Sequence, residues 1–198
     1  MKISTDQHFW DTRYQQQQTG WDLGEVSPPL KAYFDQLEDK SLKILIPGGG
    51  NSYEAEYLIQ QGFTDVTVVD ISAVVIERLR QQYADYLNKG LRLLCQDFFA
   101  HHELYDLIVE QTFFCALDPS LRPDYIRHMQ KLLKEEGKLV GVLFDREFVG
   151  GPPFGGSRAA YRALFETELE VLTLEPCYNS IAPRAGSEAF IIATKKQA

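Results

Sequence analysis

One stretch near the N-terminus constrains the fold more than any other: LKILIPGGGNSYEAEYLIQQG, residues 42–62. It begins with KILIP, a continuous apolar run typical of a strand buried on both faces. Three glycines follow, and YEAEYLIQQG then predicts a helix that ends near Gly62. Nucleotide-binding sites often begin with a strand, a glycine turn and a helix in this order.

Strand and helix patterns alternate through the rest of the chain. The predicted strands are KILIP, VTVVD, LRLLCQD, YDLIVEQ, KLVGVLF, ELEVLTLEP and EAFIIATKK. The main helices between them are predicted over 53–62, 72–87, 122–137 and 157–166. This order indicates an α/β fold with a doubly wound, mostly parallel sheet of seven strands. Residues 1–198 are expected to form one domain, in which a helical N-terminal cover (1–40) precedes the core (41–198).

Composition and charge exclude several classes of protein. The chain has 198 residues and a net charge of −8, which disfavours binding to nucleic acid or to an anionic membrane. It has no apolar run of about 18 residues, and its polar N-terminus does not resemble a signal peptide. Three widely spaced cysteines form no disulfide or metal framework, so we expect a cytoplasmic protein with no metal site. We also expect a monomer.

The glycine loop PGGGNS fits neither common phosphate-binding motif. A P-loop requires a lysine after its last glycine, and this loop has none. The dinucleotide pattern G-x-G-x-x-G matches at Gly48 and Gly50, but Tyr53 stands where the third glycine allows close helix packing. Glu54 and Glu56 in the first turn of the helix would also repel a pyrophosphate.

Two acidic residues at strand ends favour a nucleoside without phosphates. Asp70 ends the second strand, 20 residues after Gly50, where a carboxylate accepts hydrogen bonds from ribose hydroxyls. Asp97 ends the third strand and is followed by Phe98, a pair suited to an adenine amino group and ring. A cationic nucleoside agrees with these residues, and S-adenosylmethionine is such a ligand.

A set of motifs extends along nearly the whole chain: FWDTRYQQQQTGWDLGEVSPPL, LIPGGG, VVDIS, DFF, YDLIVEQTFFCALDPSLRPDYIRHMQKLLKEEGKL, GGPPF and IAPR. Together these motifs resemble the thiopurine S-methyltransferase superfamily, and most closely its halide/thiol methyltransferase branch. The resemblance implies a class I, Rossmann-like methyltransferase that uses S-adenosylmethionine. The implied acceptor is a small soft nucleophile: a thiol, hydrosulfide, a thiopurine-like compound or a halide. Transfer would proceed by in-line displacement.

The resemblance also implies residue roles. Donor contacts are expected from Trp10, Tyr14, Trp21, Gly48, Gly50, Asp70, Ile71, Asp97, Phe98 and Gln111. Residues expected in the acceptor pocket are Phe114, Pro153, Phe154 and Arg184. Glu110 is the candidate general base, although a thiolate or halide needs none.

The sequence departs from the branch at three places. Tyr14 and Gln111 stand where the branch commonly has Trp and an aromatic residue, and Asn51 follows the donor loop. Donor binding should survive these changes, whereas the identity of the acceptor stays open. Two alternative functions also stay open: a donor-binding protein with little catalysis, and a nicotinamide-dependent reductase. Arg146, Arg158 and Arg184 are the cations that could meet an anionic acceptor.

Overall fold

A single seven-stranded sheet organises the computed structural model, which describes residues 5–87 and 89–196. The strand order is β3-β2-β1-β4-β5-β7-β6. The strands are β1 Lys43–Pro47, β2 Asp65–Asp70, β3 Leu91–Cys95, β4 Tyr105–Gln111, β5 Leu133–Phe144, β6 Leu169–Pro176 and β7 Glu188–Lys195. All neighbouring pairs from β3 to β5 are parallel, and β7 runs antiparallel to both β5 and β6. The predicted doubly wound, mostly parallel sheet is confirmed.

Helices cover both faces of this sheet. They are α1 Gln7–Gln15, α2 Pro28–Phe34, α3 Tyr53–Gln60, α4 Ala73–Gln82, α5 Arg122–Leu132 and α6 Arg158–Phe165. Ile44 and Ile46 of β1 belong to one buried cluster with α2, α3 and α4, while Leu45 between them belongs to a second cluster with α5 and α6. Side chains alternate across a strand, so a strand between two helical layers must be apolar throughout.

Local signals for helix ends agree with the structure in two places. Gly62 follows the last turn of α3 at φ +89, the left-handed conformation that glycine adopts without strain. Ser72 caps α4, since its hydroxyl accepts a hydrogen bond from the N–H of Val75. Both positions were predicted from the sequence.

The boundary between α5 and β5 differs from the prediction. The pattern predicted a helix as far as Gly137, but α5 ends at Leu132 and the strand begins at Leu133. Leu133 is fully buried and pairs with Tyr105 of β4, and the register then shifts before Leu107 pairs with Lys138. Pairing of Leu133 with β4 therefore ends the helix before the KEE segment, despite the helix propensity of that segment.

The N-terminal segment packs on the start of α4. The carboxylate Oδ1 of Asp11 in α1 accepts hydrogen bonds from the Ser72 hydroxyl at 2.6 Å and from the Val74 N–H at 3.2 Å. Residues 1–4 of the expected cover lie outside the described residues. In the described chain, no helix is both long and apolar enough to cross a membrane.

Candidate active site

A cavity of about 340 Å³ lies where the parallel strands end. Its volume is within the range of small-molecule sites. All ten residues predicted to bind the donor line it, together with Pro153: Trp10, Tyr14, Trp21, Gly48, Gly50, Asp70, Ile71, Asp97, Phe98 and Gln111. The cavity therefore joins the first two βα turns, the end of β4 and the N-terminal segment, as expected for an open α/β sheet.

The glycine loop wraps around the carboxylate of Asp70. Gly48 and Gly50 adopt φ +57 and +51, and a Cβ on Gly48 would lie 2.1 Å from the ring of Phe113. Oδ2 of Asp70 accepts the N–H of Gly50 at 3.0 Å, and Oδ1 accepts the N–H of Ser72 at 2.8 Å. The N–H of Ile71 also interacts with this carboxylate. A carboxylate has about four acceptor positions, so these three N–H groups do not saturate it.

Asp70 is 6% exposed, and burial raises the pKa of its carboxyl above the ordinary value. The hydrogen bonds from Ser72 and Gly50 oppose this shift because they favour the ionised form. A buried carboxylate with free acceptor sites can bind two neighbouring hydroxyls, such as those of a ribose.

The three predicted N-terminal aromatics form one cluster over the cavity. The ring of Trp21 meets Trp10 at 5.6 Å and Tyr14 at 5.8 Å, both edge to face. Tyr14 is buried, and desolvation together with the charge of Asp70 raises the pKa of its phenol. Aromatic faces attract a cation, and each such contact contributes about 0.5–2 kcal/mol.

A polar network joins this cluster to the glycine loop. Asp22, which follows Trp21, accepts from the side-chain amide of Asn51 and from the hydroxyl of Tyr53. Arg78 of α4 donates to Oδ1 of Asn51 and also lies over the ring of Tyr14. Asn51, a departure from the branch, thus connects the loop to the cover.

The end of β3 presents Asp97 and Phe98 as predicted. The carboxylate of Asp97 accepts from the N–H of Phe99 at 2.9 Å and so caps the short 3-10 turn Phe98–Ala100. Phe98 packs edge to face on Phe113 at 5.2 Å, which ties this rim of the cavity to the turn after β4.

Glu110 lies beside the cavity without lining it. Its Oε1 accepts the N–H groups of Phe113 and Phe114, and its Oε2 accepts the hydroxyl of Tyr125 at 2.6 Å. Burial raises the pKa of Glu110 to about 7. The side chain is 1% exposed and fixes the turn after β4, where Thr112 adopts φ +58. The expected general base is therefore a group that positions the neighbouring backbone.

Three residues predicted for the acceptor pocket also lie outside the cavity lining. Phe114 is buried in the core, where it packs on Tyr125, Tyr161 and Phe165. Phe154 is bound through its N–H to the carbonyl of Cys115. Of the four predicted residues, only Pro153 reaches the cavity.

Arg184 is the remaining residue of that set. It makes a buried ion pair with Glu188 at 3.2 Å and donates to the carbonyl of Trp21 at 2.6 Å. The guanidinium thus fastens the cover to the chain before β7. The spacing of four residues gave no signal for this pair, because it indicates an ion pair only within a helix and Glu188 begins strand β7.

The charged side chains that line the cavity are acidic. Its carboxylates are Asp6, Asp22, Glu25, Glu54, Asp70 and Asp97, and no Lys, Arg or His lines it within residues 5–87 and 89–196. In those ranges, no group of three His, Cys, Asp or Glu residues is arranged to hold a metal ion. Such a lining attracts a cationic ligand and repels phosphate.

Several residues of the lining were not predicted from the sequence. Asp22, Thr112, Phe113, Cys115 and Pro152 all reach the cavity. Pro152 lies beside the predicted Pro153 in the GGPPF motif. Which of Phe113 and Phe114 faces the cavity depends on the turn held by Glu110, and no local pattern encodes that turn.

This sheet order, together with a carboxylate held against a glycine loop in a cavity that attracts cations, defines a class I S-adenosylmethionine-dependent methyltransferase. The family model for thiopurine S-methyltransferase matches residues 5–196, and the chain belongs to that family. The family uses S-adenosylmethionine as its methyl donor.

Two curated plant proteins and one solved structure illustrate the similarity. The "Probable thiol methyltransferase 2" of Arabidopsis thaliana is 31% identical over 184 residues, which cover 90% of this chain and 81% of the relative. The "Thiocyanate methyltransferase 1" of Brassica oleracea is 28% identical with the same coverage. The 1,6-didemethyltoxoflavin-N1-methyltransferase of Burkholderia thailandensis, solved with S-adenosylhomocysteine, has a TM-score of 0.73 at 15% identity. Its match covers 97% of this chain and 87% of that structure, and it supports the fold.

Proposed function

We propose that this enzyme transfers the methyl group of S-adenosylmethionine to a small thiol. One observation carries the proposal: the Asp70 carboxylate, which its backbone N–H partners do not saturate, lies in a cavity lined by six carboxylates in all and by an aromatic cover. The sulfonium and the ammonium group of the donor are cations, so this lining favours the donor electrostatically. After transfer the sulfur is neutral, which weakens the attraction for the product.

The donor binds across the ends of β3, β2 and β1. Asp70 accepts from the ribose hydroxyls, and Asp97 with Phe98 accommodates the adenine. Ile71 lies beside the ribose, and Gly48 and Gly50 let the backbone approach the donor closely. Trp10, Tyr14 and Trp21 cover the sulfonium and exclude water.

The acceptor lies beyond the donor, against Gln111 and Pro153. A sulfur nucleophile needs alignment with the methyl group at about 3–3.5 Å more than it needs a base. Glu110 is held by three hydrogen bonds outside the cavity and is not assigned a proton transfer. The plant relatives carry names of thiol and thiocyanate methyltransferases, which support a soft sulfur acceptor.

Three unpaired cysteines support a cytoplasmic location, where thiols stay reduced. The acidic composition supports an enzyme that acts on small molecules rather than on nucleic acid. We also propose that the enzyme is a monomer.

Methyl transfer from labelled S-adenosylmethionine to a thiol panel tests the proposal. We expect a methyl thioether and S-adenosylhomocysteine in equal amounts. Donor binding without turnover on any thiol would favour the alternative of a donor-binding protein. Retention on an immobilised nicotinamide dinucleotide would favour a reductase, which Glu54, buried at the start of α3, argues against.

A further inference from the structure

We propose that the enzyme recognises the amino-acid end of its methyl donor by the ammonium group and not by the carboxylate, and that it therefore also uses decarboxylated S-adenosylmethionine, an aminopropyl sulfonium, as a methyl donor. The transfer part of this inference rests on the proposed function. The binding part rests only on the donor that the family uses and on the cavity that the predicted donor contacts line.

The order of the strands places the amino-acid end of the donor at the glycine loop. Asp97, Asp70 and the glycine loop follow one another along the carboxyl ends of β3, β2 and β1. A nucleoside whose base lies at Asp97 and whose ribose lies at Asp70 directs its sulfonium side chain toward β1. That side chain then ends beside the start of α3 and beneath the N-terminal cover, both of which line the cavity.

The charged side chains at this end of the cavity repel a ligand carboxylate. Four of the six lining carboxylates belong to the cover or to the start of α3: Asp6, Asp22, Glu25 and Glu54. Within residues 5–87 and 89–196, no Lys, Arg or His lines the cavity to offset them. Arg78 donates to the side chain of Asn51, and Arg184 is paired with Glu188. The ammonium group of the donor is attracted here, whereas its carboxylate is not.

The N-terminus of α3, where an anion would ordinarily bind, is occupied by a carboxylate of the protein itself. Glu54 is 5% exposed, its Oε1 accepts the N–H of Ser27 at 3.1 Å, and its own N–H also interacts with the carboxylate. Burial raises the pKa of Glu54, and the charge of Asp22 raises it further. Two carboxylates that repel each other are stabilised by a neighbouring cation and destabilised by a third anion.

The side-chain hydrogen-bond donors near the glycine loop and the cover are directed at the protein. Four of them have protein acceptors: Asn51 and Tyr53 donate to Asp22, Ser52 donates to the Gly49 carbonyl, and Trp10 donates to the Thr5 carbonyl. A ligand carboxylate, which can only accept, would have to displace such contacts. An ammonium group brings three hydrogens of its own to the acceptors of this lining.

The transfer step does not involve the carboxylate of the donor. A lone pair on the acceptor sulfur forms the new bond to the methyl carbon while the methyl–sulfonium bond breaks, and the electron pair of that bond returns to the donor sulfur. The acceptor releases its proton to solvent. With the decarboxylated donor, the second product is the aminopropyl thioether of adenosine, and its aminopropyl chain stays intact.

Calorimetry with three thioethers tests the binding part without any turnover. They are S-adenosylhomocysteine, its decarboxylated aminopropyl analogue and its deaminated carboxypropyl analogue. The aminopropyl analogue should bind at least as tightly as S-adenosylhomocysteine, and the carboxypropyl analogue should bind about tenfold more weakly or worse. Decarboxylated S-adenosylmethionine should then methylate 2-mercaptopyridine with a kcat/KM no lower than that of S-adenosylmethionine.

A charge reversal gives a second measurement with a matched control. Glu25→Lys places a cation in the lining, so the affinity for the aminopropyl analogue relative to S-adenosylhomocysteine should fall about three- to tenfold. Glu38→Lys changes the net charge by the same amount at an exposed position outside the lining, and it should leave this relative affinity unchanged.

The other outcomes separate the two parts of the inference from the proposed function. Weaker binding of the aminopropyl analogue than of S-adenosylhomocysteine would overturn the inference, as would equal shifts in the two charge-reversal variants. The expected order of affinities with transfer from S-adenosylmethionine alone would overturn the use of the decarboxylated donor. The expected order of affinities with no thiol methylated from either donor would support the recognition of the ammonium group and contradict the proposed function.

Discussion

Replacement of Asp70 by Asn tests the donor site, because the two side chains have nearly the same shape. The amide nitrogen must face either the N–H of Gly50 or that of Ser72, both of which donate to the carboxylate. The variant therefore loses one loop contact and the negative charge that would meet the ribose hydroxyls. Hydrogen bonds to charged groups contribute about 1.5–3 kcal/mol, so donor affinity should fall roughly 10- to 150-fold.

The pH dependence of donor binding gives this prediction a second readout. Burial raises the pKa of Asp70, and only the ionised form accepts from two hydroxyls. Donor affinity should therefore decrease as pH falls through that raised pKa, and the Asn variant should lose this dependence.

Isothermal titration calorimetry over a pH series measures both effects, with circular dichroism to verify folding. Asp65→Asn, at the opposite end of the same strand, is the matched control and should bind the donor like the wild type. Wild-type affinity in a folded Asp70→Asn protein would refute the ribose role.

Three further substitutions test residues that hold the cavity and its cover in place. Glu110→Gln should remove a pH effect on stability. The folded pKa of about 7 exceeds the unfolded pKa of 4.5, so the free energy of unfolding of the wild type should fall by up to about 3 kcal/mol relative to the variant as pH rises between these values. Urea unfolding over a pH series measures this difference, and parallel pH profiles would contradict the prediction. Gly48→Ala should weaken donor binding more than Gly62→Ala. Both positions have a positive φ, +57 and +89, but a Cβ on Gly48 would also lie 2.1 Å from the Phe113 ring, whereas a Cβ on Gly62 would meet open space. Equal donor affinities would show that the loop tolerates the methyl group. Asp11→Ala should accelerate hydrogen exchange in the cover about tenfold, because two hydrogen bonds to the start of α4 are lost. Unchanged exchange would show that Asp11 does not hold the cover in place.

Much of the fold follows from local patterns. The continuous apolar runs at β1 and β2 require two covered faces, and α3 and α4 follow them with recognisable ends at Gly62 and Ser72. The start of β5 does not follow in this way. Leu133 pairs with Tyr105, which lies far away in sequence, and no local signal encodes that contact.

The candidate site was predicted unevenly for a related reason. Strand-end residues such as Asp70 and Asp97 are placed by topology alone, so they could be predicted. Glu110 and Gln111 are adjacent on β4, and the sequence does not say which faces the cavity. The structure decides it: Gln111 lines the cavity, whereas the carboxylate of Glu110 turns back to the Phe113 N–H.

The central claim is methyl transfer from S-adenosylmethionine to a small sulfur nucleophile. Its most direct test is a competition in one vessel between 2-mercaptopyridine, thiocyanate, iodide and a mixture of tRNA and peptides, with labelled donor. Relative kcat/KM values read from the labelled products measure discrimination. We predict that S-methylated 2-mercaptopyridine is the main product, that methylated thiocyanate and methylated iodide follow, and that the polymers stay unlabelled. Label in the polymers alone, with every small nucleophile inert, would contradict the account.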